Sequence, residues 1–136
     1  MSTRAVYTFI EQEPGTPDIE AYHVYKHFDG YPAGAAVFIK NAIDYAWPLP
    51  RYEACEFAAA FIAANKQTRK TLERAYPGGD VYLTTHFNDH GDLDYRYEIL
   101  MHNKKLRVEA FKWNYESESW DSIFIGSLDD FVKKYK

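Results

Sequence analysis

Hydrophobic positions along the chain change period several times, and the changes mark the elements. Residues 4–12, "RAVYTFIEQ", form a run of β-branched and aromatic residues that predicts a strand. "EPGTPD" carries two prolines and a glycine and predicts a loop. Residues 19–28, "IEAYHVYKHF", predict a second strand, antiparallel to the first. Past Pro32 the spacing becomes three and four. Ala35, Phe38, Ile39, Ala42, Ile43 and Ala46 then share one helical face. "WPLP" at 47–50 stops that helix, because proline lacks the amide and disfavours helix in the residue before it. A second helix is expected from near Arg51, with Ala54, Phe57, Ala58, Phe61, Ile62 and Leu72 on its buried side. "PGG" at 77–79 ends it or its extension. The pattern leaves open whether this helix continues past Asn65.

The second half reads as a meander. "VYLTTHF" puts Val81, Leu83, Thr85 and Phe87 on one face, and "LDYRYEILM" does the same for Leu93, Tyr95, Tyr97, Ile99 and Met101. A loop at "NDHGD" (88–92) would pair Phe87 with Leu93 and Leu83 with Tyr97. His86 would then face Asp94, and Tyr82 would face Glu98. Asn103-Lys104 is a fitting two-residue hairpin turn. It sets Ile99 against Val108 and Met101 against Leu106, and brings Glu98 beside Glu109 at a like-charge cost. "WDSIFIG" (120–126) is the last strand. "SLDDFVKKYK" predicts a C-terminal helix with Ser127 as N-cap, acids in the first turn and lysines in the last. The expected fold is α+β. It has a mostly antiparallel sheet of about six strands in the order ββααββββα, two helices on one face and a short C-terminal helix, all in one domain over 1–136.

Composition narrows the function classes. A length of 136 residues can bury a core without disulfides or metals. A net charge of −4 is the wrong sign for nonspecific nucleic-acid binding, which draws on Lys and Arg neutralising phosphates. Acids exceed bases by only 20 to 16, too few for a nucleic-acid mimic. The single cysteine, Cys55, allows no intramolecular disulfide and suits a reducing compartment. "MSTRAVYTFI" lacks a long apolar stretch and a cleavage site, and no apolar run reaches the roughly 18 residues of a membrane span. The expectation is a cytoplasmic protein with no membrane or nucleic-acid partner and no cofactor. Aromatics make up 18% of the chain, with 12 tyrosines, which is enough to build both a core and a recognition surface.

The segment "VYKHFDGYPAGAAVFI" holds the most distinctive local pattern. Asp29, Gly30, Tyr31 and Pro32 read as a structural corner. Gly30 supplies a conformation that other residues resist, Pro32 suits the first helical position, Asp29 can accept from free amides, and Tyr31 can fold over the core. The rival readings are an anion site on the "AGAA" amides and a catalytic pairing with His27. No Walker-like lysine or threonine follows, and Asp29 would repel an anion. His23, Tyr25 and His27 share one strand face. His86 and Asp89 sit near them if the strands are adjacent, so His23, His27, His86 and Asp89 are a candidate metal set, though not a favoured one. Zinc needs three or four convergent ligands, and the spacing fits no helical motif. Cys55 has acidic neighbours in Glu53 and Glu56, which raise a thiol pKa, and reads as a small, partly buried residue.

"FKWNYESESW" concentrates Phe111, Trp113, Tyr115 and Trp120. If one sheet face stays uncovered, Tyr7, Phe9, Tyr25, Phe111 and Trp113 would form a patch large enough to mark a partner interface. Arg96, Arg107 and Lys26 are the cations available to meet a charged ligand.

Met1, Thr3 and Arg4, then Tyr25, His27, Phe28, Asp29, Gly30, Tyr31 and Pro32, carry a resemblance. Over roughly its first third the chain resembles a broad group of small phage and prophage proteins. These begin Met-x-Thr-Arg and have a strand ending His-aromatic-Asp-Gly-Tyr-Pro. The resemblance implies a phage or mobile-element setting and a host-directed or anti-defence role. It transfers no catalytic residue. Three functions are therefore weighed. The first is a non-enzymatic protein that binds a host protein through Tyr25, His27, Arg96, Arg107, Phe111 and Trp113. The second is a binder of a small nucleotide signal. The third is a metal-dependent hydrolase. Homo-oligomerisation is open in each.

Overall fold

The computed structural model describes residues 3–12, 19–66, 81–88 and 91–136. The elements run β1 (Ala5–Gln12), β2 (Ile19–Lys26), α1 (Pro32–Ile43), α2 (Ala54–Asn65), β3 (Val81–Thr84), β4 (Tyr95–His102), β5 (Lys105–Asn114), β6 (Ser119–Ser127) and α3 (Leu128–Lys134). The strands form one six-stranded sheet in the order β3-β2-β1-β4-β5-β6. β1 and β4 run parallel, and the other neighbours are antiparallel. The expected α+β class and element order hold.

The described helices cover one face only, and the opposite face is called helix-free in that sense. Tyr7 and Phe9 from β1, Val24 from β2, Tyr97 and Ile99 from β4, and Val108 and Ala110 from β5 are buried against Ala35, Ile39, Phe57, Phe61 and Phe131. The stripes read from the sequence are buried in part: Phe38, Ile43, Ala46 and Ile62 are only partly buried at the edge of the core, and Ala36, Ala60 and Asn65 are buried beside the expected residues. α1 contributes Ala35, Ala36, Ile39 and Ala42, and α2 contributes Ala54, Phe57, Ala58 and Phe61. Tyr7 meets Phe61 at 4.5 Å between ring centroids, and Phe9 meets Phe57 at 5.6 Å. These two rings therefore cannot join an exposed patch. The strand periodicity sends them under α2, opposite Tyr25, Phe111 and Trp113.

α2 starts at Ala54, three residues later than expected, because its first amide is satisfied from outside the helix. Glu11 of β1 accepts from Ala54 N at 2.9 Å. It ends at Asn65, with Lys66 already extended. The Asn65 amide donates to the carbonyls of Phe38 and Phe61, tying the two helices together at that end. Leu72 and the "PGG" stop lie outside the described residues. Cys55 is exposed, not partly buried. Its position one residue past Ala54 points it away from the buried stripe.

The expected β3–β4 hairpin does not form. Leu83 faces Val24 and Tyr82 faces Tyr25, so β3 lies at the far edge on β2. β4 lies beside β1, with Tyr7 opposite Tyr97. Phe87 therefore does not pair with Leu93, nor Leu83 with Tyr97, nor Tyr82 with Glu98. Parallel strands need a crossover, and the described residues on either side of it, 85–88 and 91–94, bring Phe87 and Leu93 onto the face opposite the described helices. The reward is burial: Leu93 packs with Val6 and Tyr25, and Phe87 and Trp120 close around them. β1 is consequently buried on both faces from Ala5 to Phe9. The β4–β5 hairpin has the expected register, including Glu98 beside Glu109. Asn103 and Lys104 both have positive φ, at 50° and 64°. Ser127 Oγ accepts from Asp130 N at 3.1 Å and caps α3 as expected.

The corner at 29–32 is built differently from the expectation. The left-handed residue is Asp29, with φ 58°. Gly30 is needed for space, since a Cβ there would stand 2.6 Å from Ala5 Cβ and 2.9 Å from the Thr3 carbonyl. Gly30 N donates to that carbonyl at 2.8 Å, and the buried Tyr97 hydroxyl donates to the Gly30 carbonyl. Gly34 is held closer still, because a Cβ there would fall 2.1 Å from the Asp29 carbonyl. Pro32 occupies the first helical turn. No side chain caps α1, so the exposed Asp29 does not serve its amides. Tyr31 is 43% exposed and does not fold over the core, because as N-cap it precedes the buried stripe.

Candidate functional site: the helix-free sheet face

Strand register arranges the second face in three rows across the sheet. The first is Tyr82, Tyr25, Val6, Arg96, Phe111 and Ser122. The second is Thr84, His23, Thr8, Glu98, Glu109 and Ile125. The third continues past the end of the β1–β4 ladder with Ala21, Ile10, Leu100, Arg107 and Ser127. Tyr52 marks that ladder end, donating its hydroxyl to the Ile10 carbonyl at 3.0 Å. Burial, and after it the nearby Glu11 carboxylate, push the Tyr52 phenol well above its ordinary range.

Arg96 organises the first row. Its guanidinium lies 3.8 Å from the Phe111 ring centroid, 4.6 Å from Phe87 and 5.5 Å from Trp120. Nη1 donates to Glu98 Oε2 at 2.8 Å. Its side chain is 13% exposed, and among the described residues nothing accepts from its buried Nε. Arg96 thus clamps the crossover segment onto the sheet by stacking between Phe87 and Phe111. The same contact eases the like-charge cost at Glu98 and Glu109, since Arg96 serves one carboxylate and Ser122 Oγ donates to the other at 2.8 Å.

The residues singled out in the sequence as binding candidates are placed as follows. Tyr25, Arg96, Arg107, Phe111 and Trp113 do share this face. His27 follows the end of β2 and holds the Tyr25 hydroxyl with Nδ1 at 2.9 Å. Lys26 does not belong with them: it is fully buried on the helix side, with Nζ 4.2 Å from the Phe38 ring centroid. Of the cations considered for a charged ligand, Arg107 is the one whose side chain is neither buried under the helices nor stacked in the Arg96 cluster.

A comparison with protein-family models, curated proteins and solved structures finds no match. The site is therefore read from its own geometry.

The described histidines do not gather into one ligand set. His23 Nδ1 meets Thr8 Oγ1 at 2.9 Å, and its ring centroid is 6.0 Å from that of His86. His27 is engaged with Tyr25, and Asp89 lies outside the described residues. No group of three or more His, Cys, Asp or Glu side chains among the described residues is placed to hold a metal. The expected His86–Asp94 contact is absent, because β3 and β4 are not neighbours. Asp94 accepts from Tyr115 and from Arg4 N, and the Asn88 amide donates to His86 Nδ1. Sequence reasoning missed Phe87 as a partner of Arg96. Its signal was an aromatic residue at the start of a polar loop, which a solvated hairpin would not need.

Proposed function

We propose that the protein is a non-enzymatic binding protein of phage or mobile-element type that docks a host protein on its helix-free sheet face, in a host-directed or anti-defence role. The observation that carries this reading is the uneven finish of that face. Its first row is closed by Phe87, Leu93 and Trp120 around Arg96. Beyond it, Ile10, Leu100, Arg107 and Glu109 are half-buried and Ile125 is 53% exposed, with no described helix over them. An apolar strip flanked by one arginine and one glutamate has the mixed character of a recognition surface. Fixed strands present it, so little conformational entropy is lost on docking. The ligand-binding alternative is weakened by the burial of Lys26 and the pairing of Arg96, which leave Arg107 to meet a phosphate.

The test is affinity capture from a bacterial host lysate. The wild-type chain should retain one protein in stoichiometric amount. Leu100→Lys with Arg107→Glu should lose it while melting at the same temperature. Val37→Lys on the exposed side of α1 should keep it. Equal capture by all three chains rejects the reading.

A further inference from the structure

We propose that β6 is a dimerisation edge, where two copies of the chain pair β6 with β6, antiparallel about a two-fold axis at Ile125, so that two six-stranded sheets become one continuous sheet. β6 is the last strand in the sheet order and spans nine residues, Ser119–Ser127. No backbone hydrogen bond from another described segment reaches its outer edge. Such an edge is a template for pairing, and proteins blunt it with lysine, proline, shortness or a cover. β6 has no lysine, arginine or proline, and Asp121 is its one charge. A bulge against Ala110/Phe111 falls at Ile123, which leaves the stretch after it regular.

A two-fold axis normal to the sheet requires facing residues to share a face, so their numbers sum to an even value. An axis at Ile125 sets Ile125 against its own copy, on the helix-free face where it is 53% exposed. The same register sets Phe124 of one copy against Gly126 of the other, whose own Phe124 ring already lies over that glycine, with Cζ 3.0 Å from where a Cβ would stand, so the two rings would meet across the seam.

Charge selects a second copy over an unrelated extended segment. α3 folds back along β6, with Phe131 and Tyr135 at 5.1 and 6.2 Å from Phe124 between ring centroids. It exposes Asp129 and Asp130 at its start and Lys133 and Lys134 at its end. Two-fold pairing makes the two α3 helices antiparallel, so the acidic turn of one lies toward the basic turn of the other. An isologous interface needs this self-complementarity, and no further component.

Light scattering on the eluting chain, over a wide range of loading concentrations, tests this directly. The mass should rise from one chain, 15.9 kDa, toward twice that value. Ile125→Lys, at an exposed position that leaves the fold intact by circular dichroism, should hold it at one chain. Asp129→Lys/Asp130→Lys and Lys133→Glu/Lys134→Glu should each weaken association, and their mixture should restore it. A wild-type mass fixed at one chain overturns the proposal, leaving the edge to an extended segment of another protein. So does a doubled mass that survives Ile125→Lys, or a mixture no heavier than its parts.

Discussion

Phe9 and Phe111 both sit on inner strands of the same sheet, yet their surroundings differ in kind. Phe9 points under α2 and is fully buried among rings, with Phe57 and Phe61 at 5.6 and 5.3 Å. Phe111 points the other way, stays half-buried, and takes the Arg96 guanidinium at 3.8 Å. One face is a continuous, largely apolar core whose few polar groups, such as the Tyr97 hydroxyl and the Asn65 amide, are satisfied by backbone carbonyls. The other is held by a charged group stacked between rings and by a loop, and most of its remaining described residues are half-buried. Folding stability should therefore reside on the first face, and recognition on the second.

The largest expected contrast is between truncations on the two faces. Phe61→Ala should cost about 3–5 kcal/mol by urea unfolding, as full aromatic truncation in a core does. Phe111→Ala should cost about half that, because half-buried area contributes less. Equal costs would break the division between the faces. Next in size is the corner that joins β2 to the helical layer. Gly30→Ala must displace Ala5 or the Thr3 carbonyl and should cost about 1–3 kcal/mol. Tyr97→Phe removes the hydroxyl that serves the Gly30 carbonyl and should cost about 1–2 kcal/mol. Arg96→Met keeps the stem but removes the stacked charge, for about 1 kcal/mol. Its sharper signature is faster amide exchange at 85–88, since the clamp on the crossover is gone.

Alkaline titration gives a smaller effect with a definite sign. Burial holds the Tyr97 phenol well above its ordinary value of 10.0, and Tyr52 shifts the same way. The folded chain keeps protons that the unfolded chain releases above about pH 10. Stability should be flat in this respect below that pH and fall above it. The slope is about 1.4 kcal/mol per pH unit for each such tyrosine until the folded phenol ionises. Tyr97→Phe should flatten the decline. An unchanged slope would place that phenol in water.

Local chemistry was readable from the sequence, and long-range placement was not. The β4–β5 register followed from Asn103-Lys104, because a two-residue turn fixes every pair beyond it. Ser127 and the charges of α3 announced that helix for the same local reason. The position of β3 depends instead on a crossover whose length and turn residues look like a hairpin. A signal for the true order did exist. "AVYTF" is apolar nearly throughout, the pattern of a strand covered on both faces, which places β1 inside the sheet with a further neighbour. At the corner, residue types announced a tight turn but not the division of labour. Asp29 takes the left-handed angle, and the glycines allow close approach. The arginine–aromatic cluster was half legible: Arg96 and Phe111 stood out, but Phe87 joins them only through the crossover.

Hydroxyl-radical footprinting of the chain, alone and with its captured partner, tests most directly whether the helix-free face is the recognition surface. The prediction is that Ile10, Leu100 and Trp113 become protected while Val37 and Tyr45, exposed at α1 and just past its end, stay as reactive as before. Protection at Val37 and Tyr45 with an unchanged sheet face would contradict it.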